Sequence, residues 1–594
     1  MSRATFAAAL AALACLALAG AERARFSQWT TSDEPPHLAA AREWRYGPGM
    51  VSNFEHPVLM KVIAGSALHA AKPALEIDET RAGRAPIPFV LALLVAFTGL
   101  LGRAVAGPAA GLAAAGLLAV EPTFRGHGTL VQSDVLVTLF LVAAAWALER
   151  AARAAPVQRA WLVASGVLYG LAMASKYSAF PFLAVFAAIA MLRLSSGRSS
   201  SKVNRGRRQR PTRREARSSR SAVSRSPLAI LRNSLSLPVL SSVALFAAVA
   251  LATLALVQFL AYAGTSDAAF RLGLRAAFEN LPQENAVVAL AKTFPKWIAG
   301  YGAGLLFVQG VAGPGERFNY FFGAVRGTGS LLYFPVALGI KLATATVLGT
   351  LAALVASAVA FLRGGRTRLL LTRAALPAAI GGAYLAACCV SNVNIGVRHA
   401  LPAVPFLLVA AAAAGRVLLG RKPRVLRTAI AGAVLLAAGE SALRLGHEIS
   451  FGNFLVGGPS GVPAVLSDSN VDWGQEQGLV FDRVRRGDLG KVAMASLLVD
   501  QSGATRVGII GVALSAEAPA DTVFFSRFLW DLAAAAEKND ETYPKFVWLR
   551  GWLPPLRRGL EARATSIEPF GDAYLLMRLR PPTAGPSSAR GSTP

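Results

Sequence analysis

Charge is scarce in this chain. Only 16% of its 594 residues are Asp, Glu, Lys or Arg, against about a quarter in an ordinary soluble domain, which excludes a water-soluble globular protein of this length. Cysteine is nearly absent too. Cys15, Cys388 and Cys389 all lie in apolar runs; adjacent cysteines rarely bond to each other, so no disulfide framework is implied and the three read as small apolar filler. Acid is the scarcer charge, with 33 Asp and Glu against 61 Lys and Arg. A net charge of +28 raises nucleic acid as a partner, but the distribution argues against it. Between Ser195 and Arg232 stand eleven Arg and one Lys against the single acid Glu215, and this block is flanked by apolar runs. It reads as a disordered basic loop on the cytoplasmic side, in contact with anionic lipid heads.

What the chain has in abundance is long apolar runs. Hydrophobic residues make up 54% and mean hydropathy is +0.46, clustered in stretches long enough to cross a bilayer. Eleven candidate spans emerge: 4–20, 86–102, 106–120, 129–148, 160–175, 177–194, 237–263, 331–361, 374–391, 400–419 and 427–445. With the N-terminus inside, every inner loop carries Arg or Lys, as the positive-inside rule requires. The first run also resembles a signal peptide and is read as a retained span. Residues 34–46, 57–70 and 268–298 pattern as amphipathic helices on the outer membrane surface. The expected organisation is a polytopic helical domain over 1–445, a small outer-face α/β domain over 446–580, and a disordered tail over 581–594. In the second domain, 507–512 and 574–579 read as strands and 525–538 as helical.

All six histidines fall in outer loops or at span ends, so any chemistry is expected on the extracytoplasmic face. Three constellations stand there. Asp33, Glu34 and His37 follow the first span, with Glu55 and His56 in the string NFEHP shortly after. Glu121, His127 and Asp134 lie in EPTFRGHGTLVQSD, with Asp134 opening a span. The basic set is Lys176 in ASKYSAF, Lys341 inside the expected 331–361 span, and Arg398-His399 closing a short outer loop. Carboxylates at span ends are commonly solvated helix caps, but repeated pairing of acids with His near one membrane plane points to a site. A Lys within a span is expensive and marks function by default, and the natural partner for outer-leaflet Lys and Arg is a lipid phosphate. Glu440 and Arg444, at i,i+4 spacing, read as a structural ion pair. Carboxylates facing a phosphate clamp suit one reaction class: an acid deprotonates an acceptor hydroxyl while a sugar leaves a lipid phosphate through an oxocarbenium-like transition state.

The strings SDEPPHLAA, NFEHPVLMKVIA, EPTFRGHGTLVQSDV, ASKYSA, YFFGAVRGTGSLLYFPVALGIK, NIGVRHALPAVPF and LSDSNVDWGQE together resemble the bacterial branch of the protein-mannosyltransferase-type glycosyltransferases (family thirty-nine) of the GT-C superfamily. The resemblance spans about residues 30–480. It implies a multi-pass enzyme of the inner membrane with its active site on the periplasmic face. The enzyme would move a monosaccharide, with inversion, from a polyprenyl-phosphate donor to an acceptor protein or glycan. It implies Asp33 as base, with Glu34 and Asp134 beside it, Lys176 on the donor phosphate, and Glu121 and the string Asp468–Gln475, with Asp472, Trp473 and Gln475, on the substrate side; the residues themselves add Lys341, Arg398 and His399 to the phosphate side and His37, Glu55, His56 and His127 to the substrate side. Relatives carry an Asp where this chain has Glu121. No cofactor motif is evident. His37, His56 and Glu34 can converge on a divalent metal, although their spacing matches no strong metal motif. Two other readings compete: a transporter or flippase of a lipid-linked sugar, which needs polar groups near the midplane, and a non-catalytic assembly protein presenting the 446–594 domain.

Overall fold

The computed structural model of the chain describes residues 1–71, 78–153, 157–205, 234–362, 374–419, 423–496, 500–510 and 519–581. Most of the basic loop and the tail beyond 581, both expected to be disordered, lie outside these residues, as do 363–373. The chain is predominantly helical. Up to residue 205 it forms α1 (Arg3–Ser27), α2 (Glu34–Tyr46), α3 (Val58–Ala71), α4 (Glu79–Arg84), α5 (Ile87–Ala106), α6 (Pro108–Val120), α7 (Pro122–His127), α8 (Ser133–Arg153), α9 (Arg159–Ser175) and α10 (Ala179–Arg205). The helices Leu237–Tyr262, Thr344–Leu362, Ala375–Cys389, Val404–Leu419 and Pro423–Ala442 complete the apolar set. Five segments among the described residues are long and apolar enough to cross a membrane: α1, Glu79–Ala106, α8, Leu237–Tyr262 and Val397–Val417.

α5 and α6 form a tight hairpin. Pro108 starts α6 at a position where its missing N–H costs nothing, and a Cβ on Gly111 would meet the Gly99 carbonyl at 2.4 Å, so only glycine permits this approach. α8 is apolar nearly all round, and 83% of its best membrane window is buried, against 22% for Leu237–Tyr262. A helix without a polar face belongs at the centre of a bundle; α8 accordingly packs against α5 and α9. Its first turn therefore sets Asp134 where several helices meet.

One expected span is interrupted. Residues 331–361 form two helices, Tyr333–Lys341 and Thr344–Leu362, joined through extended Leu342. The break is held by carboxylates. Glu121 accepts the Ala343 N–H at 2.9 Å, and Glu440 accepts the Thr344 N–H at 2.6 Å and the Thr344 hydroxyl at 2.8 Å. Carboxyl oxygens at a helix N-terminus satisfy its orphan donors. Glu440 also accepts the Phe454 N–H at 2.9 Å, so the expected Glu440–Arg444 pair does not form: the helix that carries Glu440 ends at Ala442, and Arg444 faces Asp572 at 3.9 Å instead.

Beyond the helix Pro423–Ala442, residues 443–476 run back across the end of the bundle and lead into a small α/β unit. Its sheet has the order β3 (Val492–Ala495), β4 (Thr522–Ser526), β6 (Tyr574–Leu579), β5 (Ala564–Phe570). β3 and β4 are parallel and the other pairs antiparallel. Helices Arg527–Ala536 and Pro544–Arg563 cover one face with a core of Phe525, Leu529, Leu553 and Met577. The expected strand at 574–579 and the helix near 525–538 are present. The expected strand at 507–512 is not: Val507 caps a helix and Gly508 takes φ +79°, which turns the chain, while 511–512 lie outside the described residues. A hairpin, β1 (Asn319–Phe321) with β2 (Ala324–Arg326), bridges to Leu466.

Candidate active site

Asp33 and Glu34 begin α2. Glu34 is fully buried and closes a buried ion pair with Arg84, at 2.7 Å to Nε and 2.5 Å to Nη2. It also accepts the Thr31 N–H at 2.8 Å, the Thr31 hydroxyl at 3.0 Å and the Val131 N–H at 3.0 Å. Arg84 donates in addition to the carbonyls of Gln28 and Trp29, both at 2.8 Å. These bonds rivet α1, α2, α4 and the loop before α8 together.

Asp33 points elsewhere. It keeps a third of its side chain open and pairs with Arg398 at 2.6 Å. Gln132 adds only a 3.4 Å contact. Burial presses the Asp33 carboxyl upward, but the Arg398 guanidinium more than offsets this and holds it below the usual carboxylate range. Arg398 lies 4.1 Å above the ring of Trp473, a cation–π seat, and the His127 ring stands 5.7 Å from the same indole. A second buried pair, Lys176 with Asp134, joins the end of α9 to the first turn of α8. The two pairs share one field, since Asp134 acts on both Asp33 and Arg398.

The imidazoles around them lack partners. Both ring nitrogens of His37, Nδ1 of His127 and Nε2 of His399 are buried without a hydrogen bond. Buried polar atoms are nearly always satisfied in a resting fold; a cluster of orphans at one place is the signature of a site that binds something polar. Burial drives His37 down to about 4 and His127 to about 3, and places His56 well below its ordinary value. All three are therefore neutral at pH 7. The expected metal trio does not converge, because His37 and His56 stack with ring centres 4.4 Å apart while Glu34 is taken by Arg84.

Several expected residues are placed differently. Glu55 borders the cluster, and burial together with the Asp33 charge raises its carboxyl. Glu121 turns away to the Thr344 helix start, where burial pushes it up to about 8. Lys341 ends the short helix Tyr333–Lys341 rather than sitting mid-span. Its ammonium donates to the carbonyls of Ile449 at 2.8 Å and Asn470 at 2.6 Å, so it fastens the returning segment. Asp472 accepts the Gly474 N–H at 2.9 Å and the Ser526 hydroxyl, tying the Trp473 loop to β4. Gln475 braces the same loop through the Trp473 N–H at 2.7 Å and the Val471 carbonyl at 2.9 Å.

Arg84, Lys61 and Arg317 went unread in the sequence, whereas Asp468 and Asn470 lie in the DSNVDWGQ string expected on the substrate side. Arg84 has no motif of its own. Asn470 is the hub that accepts Val397 N–H at 2.9 Å and donates to the Tyr333 hydroxyl at 2.9 Å. Lys61 donates to the Ser52 and Asn53 carbonyls at 3.1 and 2.7 Å, and burial brings it down to about 7. Asp468 takes φ +60°, and burial lifts its carboxyl to about 6 in the field of Arg398 and Asp33. Arg317 acts electrostatically on Glu55, His399 and Asp468. For Arg317 a signal was available, since it stands just before NYFFG.

Residues 75–204, which hold Arg84, Asp134 and Lys176, match the family model described as dolichyl-phosphate-mannose-protein mannosyltransferase. A comparison with curated protein sequences finds no match. Among solved structures, ArnT from Cupriavidus metallidurans bound to undecaprenyl phosphate is 12% identical over 95% of this chain and 97% of that one, with a TM-score of 0.44. The Archaeoglobus fulgidus oligosaccharyltransferase in its apo form is 13% identical over 96% and 74%, with a TM-score of 0.45. The S. cerevisiae protein O-mannosyltransferase Pmt1–Pmt2 complex bound to the sugar donor is 15% identical over 47% and 37%, with a TM-score of 0.35.

Proposed function

We propose that the chain transfers a monosaccharide from a polyprenyl-phosphate donor to an acceptor hydroxyl at the extracytoplasmic face of the inner membrane, with inversion and with Asp33 as the base. The observation that carries this reading is the pairing of two cations, Arg398 and Lys176, with Asp33 and Asp134 among unpartnered neutral imidazoles. Two cations fixed at a membrane edge suit a lipid phosphate. When a phosphate takes Arg398, Asp33 loses its counter-charge and becomes the stronger base. The acceptor O–H then gives its proton to Asp33, its oxygen bonds the anomeric carbon, and the C1–O bond to the donor breaks. The bonding pair leaves on the phosphate, where Lys176 and Arg398 stabilise the growing charge. His37, Glu55, His56, His127 and Trp473 surround the sugar, and His399 lies on the phosphate side. Glu34, Glu121, Lys341, Asp472 and Gln475 hold the walls. The acceptor is a protein or an envelope glycan.

Release of free polyprenyl phosphate is common to every sugar and acceptor, which makes it the readout. Protein reconstituted with labelled polyprenyl-phosphate sugar and an envelope fraction should form polyprenyl phosphate in step with labelled acceptor. Movement of intact donor across the bilayer, with its glycosyl phosphate bond unbroken, would overturn the transferase reading.

A further inference from the structure

Away from this site, three side chains from distant parts of the chain converge where the α/β unit meets the membrane bundle. His447 follows the helix Pro423–Ala442, Glu476 closes the DWGQE string, and Asp572 sits in the β5–β6 turn. Their donor atoms all lie within 4.8 Å of one another. His447 Nδ1 is 2.8 Å from Glu476 Oε1 and 3.7 Å from Asp572 Oδ2, separations that suit ligands about 2.0–2.2 Å from one ion. The arrangement is pre-set. Glu476 Oε2 is occupied by the Asp572 and Ala573 N–H groups, at 2.9 and 3.0 Å, which aims Oε1 at His447. Gly571 takes φ +62°, and a Cβ there would meet Glu476 Oε2 at 2.3 Å, so the turn can close only over glycine. Ser450 donates to Asp572 Oδ2 at 2.8 Å and orients it, as an outer-shell group does for a ligating carboxylate.

The geometry points to a divalent transition-metal site formed by His447, Glu476 and Asp572, which fastens the α/β unit to the loop that carries Trp473. One imidazole with two carboxylates leaves a fourth position for water and selects zinc-like ions over the all-oxygen preference of calcium or magnesium. Arg444, 3.9 Å from Asp572 and a third exposed, is beyond hydrogen-bond distance and free to turn to solvent when the ion enters. The site adds a cross-link between units and takes no part in the transfer chemistry, so it stands or falls separately.

The test uses the full chain in detergent, stripped with a chelator and titrated with zinc by calorimetry, with metal content measured in parallel. Wild type should bind one zinc per chain and melt at a higher temperature with it. His447→Ala and Asp572→Asn should each weaken binding roughly tenfold or more and abolish the zinc-dependent rise in melting temperature, while both stay folded by circular dichroism. Excess magnesium should not compete. Absence of saturable binding to folded wild type would overturn the site, since a proton on His447 would then suffice to hold the three groups. Unchanged affinity in both variants would also overturn it.

Discussion

Asp33 and Glu34 are neighbours in sequence and opposites in surroundings. Glu34 spends both oxygens on Arg84, Thr31 and Val131, with full burial. Asp33 has one strong partner, Arg398, and an open side. Each acid pairs with an arginine, and the orphaned imidazoles of His37, His127 and His399 lie in the field of the second pair. The contrast separates two uses of a buried charge. A saturated pair fixes the positions of α1, α2 and α4, and has nothing left to give a substrate. An under-saturated pair holds a cation and a base ready for exchange.

The sharpest break in the contrast is Glu34→Gln. Removing one partner of a buried pair leaves Arg84 uncompensated and should cost about 3–5 kcal/mol of stability, visible as loss of folded protein in thermal unfolding. Next comes acid. His37 titrates at about 4 in the fold against 6.5 when free, so the stabilisation is whole above about pH 6.5 and is lost as pH falls towards 4, because the unfolded chain takes a proton that the fold refuses. The loss should approach about 3 kcal/mol, and His37→Gln should flatten the dependence of melting temperature on pH between 7 and 4.5. Lys176→Met should weaken polyprenyl-phosphate binding by roughly tenfold to a hundredfold, about 1.4–2.8 kcal/mol, as read by equilibrium binding. Glu121→Gln should have the smallest effect on turnover, about twofold or less, because that carboxylate faces the Thr344 helix start instead of the Asp33 cluster.

How far the sequence carried depends on what each residue signals locally. The bundle was legible because apolar length is a local property: each expected span coincides with a helix, apart from the interrupted 331–361. That interruption was hidden because its causes, Glu121 and Glu440, lie far away in the chain and meet Ala343 and Thr344 only in three dimensions. Asp33 pairs with Arg398 and Asp134 with Lys176, contacts that join stretches far apart in the chain. Lys341 looked intramembrane because the run around it is apolar, yet its ammonium reaches the Ile449 and Asn470 carbonyls. The division of labour between Asp33 and Glu34 was beyond reach without Arg84, a lone arginine before an apolar run that no pattern distinguishes from a topology signal.

One paired measurement tests that division most directly: donor turnover and melting temperature on the same preparations of Asp33→Asn and Glu34→Gln. Asp33→Asn should melt within a few degrees of wild type while turnover falls by about 10²–10⁴-fold, whereas Glu34→Gln should melt far lower. Wild-type turnover in Asp33→Asn, or a fully stable Glu34→Gln that has lost turnover, would contradict the account.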